Sequence, residues 1–212
     1  MGGIDKVFAE ILGRPLLAWT IDVFERSPLV DEIVVAIDKD RIHEGRMFVE
    51  ANDWKKVSQV CRGGVRRQDS IREALWRIGK CDWVMVHDGA RPCISESLLE
   101  RAMEAAQTVG VAIPALPVTD TLKRTDAAGL VQATVEREGL WSVQTPQLFR
   151  YDILWAAHEQ AQDATDDAAM VERLGKPVRL FTGDPDNIKV TVKEDLPRAA
   201  AILQEMLAAR NV

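Results

Sequence analysis

The feature of this sequence that most limits its fold is an alternation of strand-like and helix-like segments up to residue 116. The strand-like runs are residues 32–37, 57–61, 82–87 and 110–116, and the helix-like stretches are roughly 15–24, 39–52, 71–78 and 95–108. Alternation at this spacing is typical of βαβ units with parallel strands and right-handed crossovers. We therefore predict an α/β fold, a Rossmann-like, mostly parallel twisted sheet flanked by helices.

The alternation stops between residues 117 and 149, where no helical pattern is present. Two strand-like runs, residues 118–124 and 130–135, flank a turn at residues 126–129, which predicts an antiparallel β-arm over residues 117–145. An isolated hairpin has little core of its own. We therefore expect this arm to pack on something else, such as a second subunit.

Regular patterns return in the last third of the chain. Helices are predicted near residues 151–162 and 166–174, strands at 178–181 and 188–192, and a final helix after residue 194. The Thr191–Glu194 segment fits a capping box for that final helix. With 212 residues, 47% of them apolar, the chain suits one domain, residues 1–212.

Composition excludes several classes of partner. The net charge of -6 disfavours a nucleic-acid polymer, and no apolar run approaches the ~20 residues that span a bilayer. The three cysteines, Cys61, Cys81 and Cys93, are scattered. That pattern favours a reducing cytoplasm and argues against a disulfide framework or a zinc site.

The strand-like run at 82–87 ends in Asp88, Gly89, Ala90, Arg91 and Pro92. Open α/β sheets bind ligands at the carboxyl ends of their strands. A carboxylate there suits a metal or a hydroxyl, and an arginine suits a phosphate. A loop cap and a surface ion pair are the simpler interpretation, but so many special residue types together favour a functional site. His87, by contrast, is expected to be a core histidine.

Two further segments suit an anionic ligand. Gly63 and Gly64 precede a predicted helix, where glycine allows close backbone approach and a helix N-terminus attracts anions. The segment matches neither a dinucleotide fingerprint nor a Walker A loop. Lys189 alternates with the apolar Ile188 and Val190, so it is either an exposed strand lysine or a point-charge phosphate binder.

Taken together, these segments resemble the 2-C-methyl-D-erythritol 4-phosphate cytidylyltransferases. The matching pieces, in order, are Met1-Gly2-Gly3 with Lys6, Gly63-Gly64 with Arg67, Asp69 and Ser70, and residues 86–92, 117–124, 137–147 and 186–191. Each motif alone is weak, but six in the same order across nearly the whole chain are highly specific. The resemblance implies a fold of the nucleotide-diphospho-sugar transferase type.

The resemblance also implies a reaction. CTP and 2-C-methyl-D-erythritol 4-phosphate give 4-diphosphocytidyl-2-C-methyl-D-erythritol and pyrophosphate, in the non-mevalonate isoprenoid pathway. Mg²⁺ is expected as cofactor, held mainly by the CTP phosphates, with no metal ligand assigned in the chain. The family further implies a functional homodimer, because its arm crosses into the partner subunit.

Site residues carry over by position. The nucleotide contacts implied are Lys6, Gly64, Val65, Ser70 and Gly89, and the contacts to the polyol phosphate are Asp88, Arg91, Thr121, Arg137, Thr165 and Lys189. Of these, Lys6, Arg137 and Lys189 are implied to be catalytic, with Lys6 stabilising charge on the triphosphate.

The chain departs from the family pattern in three places. Val65 stands where the family usually carries an acidic residue, Gly89 where alanine is common, and Asp167 where glutamate is usual. The family also has a strand and an arginine-bearing Ala-Ala-Gly loop before the equivalent of Met1. We therefore expect the 212-residue chain by itself to be weakly active or inactive.

Two alternatives remain open at this point. A ribitol-5-phosphate cytidylyltransferase shares the fold and the nucleotide chemistry, and polyol length is not apparent from the sequence. A non-catalytic nucleotide-binding protein of the same fold is the second, although Lys6, Arg137 and Lys189 argue against it.

Overall fold

The computed structural model describes residues 6–160 and 163–210. The strands are β1 Glu10–Ile11, β2 Arg14–Pro15, β3 Ile33–Ile37, β4 Val57–Arg62, β5 Trp83–Val86, β6 Val111–Pro117, β7 Leu122–Thr125, β8 Val131–Val135, β9 Trp141–Val143, β10 Gln147–Arg150 and β11 Arg179–Thr182. The helices are α1 Leu16–Arg26, α2 Ile42–Asn52, α3 Arg67–Ile78, α4 Glu96–Ala106, α5 Tyr151–Glu159, α6 Asp167–Arg173 and α7 Asp195–Arg210. Of the helix predicted over residues 151–162, the last two residues lie outside the described part.

The main sheet has the strand order β11-β6-β10-β5, and β9 pairs with the carboxyl half of β6. Strand β10 is antiparallel to both β5 and β6, and β11 is parallel to β6. Three strands of this path therefore run in one direction and only β10 opposes them. Strands β3 and β4 form a separate parallel pair. The predicted Rossmann-like fold with parallel strands between helices is confirmed.

The core lies on both faces of the main sheet because side chains alternate along each strand. Val84, Val86 and Phe149 face α3, α5 and α6. Met85 and Leu148 point the other way, towards α4 and α1. Ser95 begins α4 as predicted, since its hydroxyl accepts the Leu98 N–H at 3.3 Å.

The predicted hairpin is present as β7 and β8, which pair antiparallel around a turn. Its first strand begins at Leu122 rather than at residue 118. The Asp126 carboxylate holds the turn by accepting the N–H groups of Ala128 and Leu130. Both strands of the hairpin are mostly exposed in the single chain.

Three local predictions are wrong. β9 and β10 were not expected, and β10 is a central strand. The segment 188–192 is not a strand. The final helix is capped by Asp195, whose carboxylate accepts the Thr191 N–H at 2.7 Å and its hydroxyl at 2.9 Å, so the cap carboxylate comes one residue later than Glu194.

No helix within the described ranges is long and apolar enough to cross a membrane.

We expect replacement of Phe149 by alanine to lower the free energy of unfolding by about 3–5 kcal/mol, because its ring is fully buried in the core beside β5. Urea unfolding followed by circular dichroism measures this. The control is Met47→Ala on the exposed face of α2, which should shift stability by less than about 0.5 kcal/mol. Equal effects of the two substitutions would contradict the assigned core.

Candidate functional site

Asp88 lies just beyond the carboxyl end of β5, between two cations. Its Oδ2 atom is 2.8 Å from the Lys189 ammonium, and its Oδ1 atom is 3.5 Å from Arg67 Nε. Burial raises the pKa of Asp88, but the hydrogen bond and charge of Lys189, with the charge of Arg67, outweigh it and hold the pKa below its ordinary value. Asp88 is therefore an ionised acceptor at neutral pH. The structure thus brings together two residues, Asp88 and Lys189, that the resemblance assigns to the polyol phosphate.

Arg67, the first residue of α3, connects Asp88 to a second carboxylate. Its NH1 group pairs with Asp167 Oδ2 at the start of α6. Asp167 is fully buried, and its other oxygen lies 2.9 Å from His158 Nε2. Burial lowers the pKa of Arg67, but the negative charges of Asp167 and Asp88 raise it above its ordinary value. Lys189, Asp88, Arg67 and Asp167 thus form a row of alternating charges.

Lys189 is placed by an irregular segment that is anchored through Asn187. The Asn187 side chain is fully buried and its amide donates to the Thr145 carbonyl at 2.8 Å. The backbone carbonyl of Asn187 accepts from Arg91 NH1 at 2.6 Å. The Val190 N–H donates to the Ala90 carbonyl at 2.9 Å. Asn187 therefore points inward, whereas Lys189 remains half exposed.

Arg91 is also mostly enclosed, with 9% of its surface exposed. Burial lowers the pKa of its guanidinium, and the charge of Asp88 opposes that shift. Arg91 Nε is buried without a partner among the described residues. The NH1 group of Arg91 thus fixes the segment that carries Lys189, while the buried Nε–H group donates to no described residue.

His87 is partly buried and packs against the Phe24 ring at 5.1 Å. The Asp88 N–H donates to Thr145 Oγ1, which leaves the Thr145 hydroxyl to donate to His87 Nδ1 at 3.0 Å. His87 Nε2 then donates to the Arg91 carbonyl at 3.2 Å. This network describes a neutral ring, and burial lowers the pKa of His87 to about 4. His87 is therefore a neutral histidine with both ring nitrogens hydrogen-bonded, and it supports the loop that carries Asp88 and Arg91.

The predicted glycine loop joins β4 to α3. A Cβ atom on Gly64 would lie 2.2 Å from Asp69 Cβ, so the close approach requires glycine. The Gly64 N–H donates to Ser70 Oγ at 3.0 Å, which brings these two predicted nucleotide contacts together. Val65 between them is fully exposed.

Gly89 is packed on α1. Its carbonyl accepts the Thr20 hydroxyl at 3.1 Å, and a Cβ atom there would approach Leu17 at 3.1 Å. That distance is shorter than an ordinary van der Waals contact, so an alanine at position 89 would require the Leu17 side chain to move slightly.

The remaining predicted residues are not all brought together. Thr121 and Arg137 are exposed on the arm, and Arg137 donates to the Thr119 carbonyl. Within residues 6–160 and 163–210, no hydrogen bond or ion pair joins either of them to Asp88. Thr165 is exposed beside α6. Lys6 begins a short 3-10 helix, but its side chain lies outside the described residues, as do residues 1–5.

Sequence reasoning missed Asp167 and His158 as site residues, and quoted Arg67 only as part of a motif. These residues lie far apart in the sequence, since Arg67 and Asp167 are 100 positions apart. The available signal was the acidic pair Asp166 and Asp167, of which the first caps α6 by accepting the Ala169 N–H. No group of three or more His, Cys, Asp or Glu side chains suited to a metal occurs in the described part of the chain.

Comparison with known proteins shows the family of this chain. The chain matches the family described as 2-C-methyl-D-erythritol 4-phosphate cytidylyltransferase over residues 1–205. The enzyme of that name from Dehalococcoides mccartyi (strain CBDB1) is 44% identical over 206 residues, which cover 97% of this chain and 91% of the relative. That of Geobacter metallireducens is 43% identical over 213 residues, 96% of this chain and 91% of the relative.

Solved structures show the same relationship. The crystal structure of a 4-diphosphocytidyl-2C-methyl-D-erythritol synthase matches with a TM-score of 0.83 at 34% identity, over 93% of this chain and 94% of the other. That of the 2-C-methyl-D-erythritol 4-phosphate cytidylyltransferase from Thermus thermophilus matches with a TM-score of 0.78 at 35% identity, over 96% and 95% of the two chains.

Fold and site together define a nucleotidyltransferase of the cytidylyltransferase class. The chain belongs to the 2-C-methyl-D-erythritol 4-phosphate cytidylyltransferase family, as its motifs predicted.

The pKa of His87 predicts an acid-sensitive fold. A histidine with pKa 6.5 when unfolded and about 4 when folded makes the unfolded chain bind more protons between those values. Stability therefore rises with pH across that window, by up to about 3 kcal/mol, and is lost as the pH falls from 6.5 to 4. Urea unfolding at pH 7.5 and pH 5 measures the loss.

The matched variant is His87→Gln, which keeps a side-chain donor but cannot titrate in this range. We expect its stability to differ much less between pH 7.5 and pH 5 than that of the wild type. The lowered pKa of Asp88 acts only below about pH 4, in a separate window. An unchanged pH dependence in His87→Gln would show that another group is responsible.

Proposed function

We propose that this chain transfers the cytidylyl group of CTP to 2-C-methyl-D-erythritol 4-phosphate and releases pyrophosphate. The observation that carries the proposal is the Asp88–Lys189 pair at the carboxyl end of β5, in a chain of this family. Asp88 supplies an ionised acceptor, and Lys189 supplies a cation whose side chain is 46% exposed. Together they match a substrate with hydroxyl groups at one end and a phosphate at the other.

Substrate binding would redistribute the partners of this pair. A polyol hydroxyl donates to Asp88, while the substrate phosphate takes Lys189, which is exposed enough to turn towards it. The depressed pKa of Asp88 keeps it an acceptor at neutral pH. Arg91, on the same loop as Asp88, would add positive charge beside the substrate phosphate.

CTP would bind against the glycine loop that joins β4 to α3. Gly64 allows the backbone to come close, and Ser70 lies in the first turn of α3, whose N-terminus favours a polar ligand. Gly89 and Val65 contribute backbone contacts in this proposal. Lys6 is proposed to lie along the triphosphate and to stabilise its developing charge.

In the proposed reaction, a phosphate oxygen of the polyol phosphate attacks the α-phosphorus of CTP in line. A new P–O bond forms as the bond from the α-phosphorus to the bridging oxygen breaks, and pyrophosphate leaves with that electron pair. The work of the protein is positioning and charge neutralisation. Mg²⁺, held mainly by the CTP phosphates, would add positive charge there, as is usual for this ion.

We further propose that the chain acts as a homodimer in the cytoplasm. The arm carries exposed apolar side chains, Leu130, Val131, Trp141 and Val143, that a partner subunit would cover. Thr121 and Arg137, exposed on the same arm, would then reach the partner's site. The cytoplasmic location is supported by the three cysteines, which are all free.

Replacing Lys189 by alanine should lower kcat/KM by roughly 100-fold or more, because a charge that holds the attacking phosphate is lost. Pyrophosphate release from CTP with 2-C-methyl-D-erythritol 4-phosphate measures it. The control is Lys193→Ala, an exposed lysine four positions later, which should retain the activity of the wild type. Faster turnover of ribitol 5-phosphate, or CTP binding without any pyrophosphate release, would contradict the proposed function.

A shared site predicts complementation between two damaged subunits. Co-expressed Arg137→Ala and Lys189→Ala chains should form mixed dimers in which one site carries both lesions and the other carries neither. With random pairing, about a quarter of all sites are then intact, so activity should return to about a quarter of the wild type. Mixed dimers isolated through two different tags and found inactive would rule out the shared site.

A further inference from the structure

Two consecutive arginines at the start of α3 each form an ion pair with an aspartate. One aspartate precedes α6 and the other is its first residue. Arg66 pairs with Asp163, whose side chain is 80% exposed, whereas Arg67 pairs with Asp167, whose side chain is 0% exposed. Exposed pairs of this kind contribute little to stability. A buried carboxylate, in contrast, is costly unless its oxygens are satisfied. The difference in burial distinguishes Asp167 from an ordinary surface partner.

Both carboxylate oxygens of Asp167 have a hydrogen-bond partner. Oδ2 accepts from Arg67 NH1, and Oδ1 lies 2.9 Å from Nε2 of His158, a histidine that is itself buried. His158 is on α5 and Asp167 begins α6. The carboxylate is therefore held from two sides and cannot swing without breaking one of these contacts.

The opposite edge of the Arg67 guanidinium faces the substrate site. Its Nε atom is 3.5 Å from Asp88 Oδ1, and the other oxygen of Asp88 is bound by Lys189. A guanidinium is planar and presents its donors in a fixed fork. Fixing NH1 on Asp167 therefore also fixes the direction in which Nε meets Asp88.

We infer that Asp167 and His158 are positioning residues, which hold Arg67 so that it orients Asp88 for the polyol phosphate. Neither residue needs to touch the substrate, because Asp167 acts through Arg67 and His158 acts through Asp167. This inference rests on the proposed function, since it assigns Asp88 to the polyol side of the site.

The first test is the affinity of each ligand for Asp167→Asn, measured by calorimetry. The Kd for 2-C-methyl-D-erythritol 4-phosphate should rise about tenfold, within the usual range for one charged contact. The Kd for CTP should change less than about twofold, because Asp88 is assigned to the polyol phosphate and not to CTP. The control is Asp163→Asn, which removes the exposed counterpart and should change neither Kd more than about twofold.

A double-mutant cycle tests the route through Arg67. Arg67→Lys keeps the charge but loses the fork, so it can hold only one of the two carboxylates well. In that background, Asp167→Asn should raise the Kd for the polyol phosphate by less than about twofold. Fully additive effects, or equal weakening of CTP and the polyol phosphate, would overturn the inference.

A milder variant covers the case in which Asp167→Asn does not fold. His158→Asn leaves the Arg67–Asp167 pair in place and removes one support of the carboxylate, because the shorter amide does not reach Asp167 Oδ1. It should raise the Kd for the polyol phosphate about twofold to threefold, and should speed hydrogen exchange at Arg67 Nε, observed by nitrogen-15 NMR. No change in either quantity would overturn the inference.

The exchange measurement also separates this inference from the proposed function. If the wild-type chain binds no polyol phosphate, the proposed function fails, but exchange at Arg67 Nε in the ligand-free chain still tests the positioning. The Nε–H of Arg66, which donates to Asp69 at 2.9 Å, is the internal control and should exchange equally in wild type and His158→Asn.

Discussion

The site depends on one constraint, the need to satisfy backbone polar groups in an irregular segment that runs through the interior. Between β11 and α7 the chain forms no strand, yet Asn187 and Val190 are buried. Buried N–H and C=O groups without partners are costly. Here the side chains of Gln144 and Arg91 and the carbonyl of Ala90 supply partners in place of a sheet. Lys189 faces Asp88 because the residues on both sides of it are fixed in this way.

Much of the fold could be predicted from local pattern, because α1 and α4 show the helical period and β3 is a short apolar run rich in β-branched residues. Two elements could not. β10 is a four-residue strand, too short for a period to show, and only its neighbours β5 and β6 identify it. The segment 188–192 does alternate like a strand, but its partners are side chains and a loop carbonyl. Alternation of polar and apolar residues indicates which side chains are buried. It does not show whether the backbone is paired in a sheet or with side chains and loop carbonyls.

The site divides in the same way. Asp88 and Lys189 could be assigned to one site from the sequence because their motifs resemble those of one family, although the strand predicted around Lys189 is not formed. The contact of Arg67 with Asp167 is different, since it joins the starts of α3 and α6 across 100 positions. No local spacing encodes that distance. It becomes visible only when the packing of α3 and α5 on the sheet is known.

The reversed strand β10 has a consequence for how the sheet is assembled during synthesis. β5 and β6 are consecutive strands, yet they do not pair, because β10 lies between them. A nascent chain that has reached Pro117 therefore has both strands but no bridge between them. The arm must be made before Arg150 emerges and the gap is filled. The sheet thus closes through contacts distant in sequence, which form slowly, and the arm is part of the loop that this closure must span.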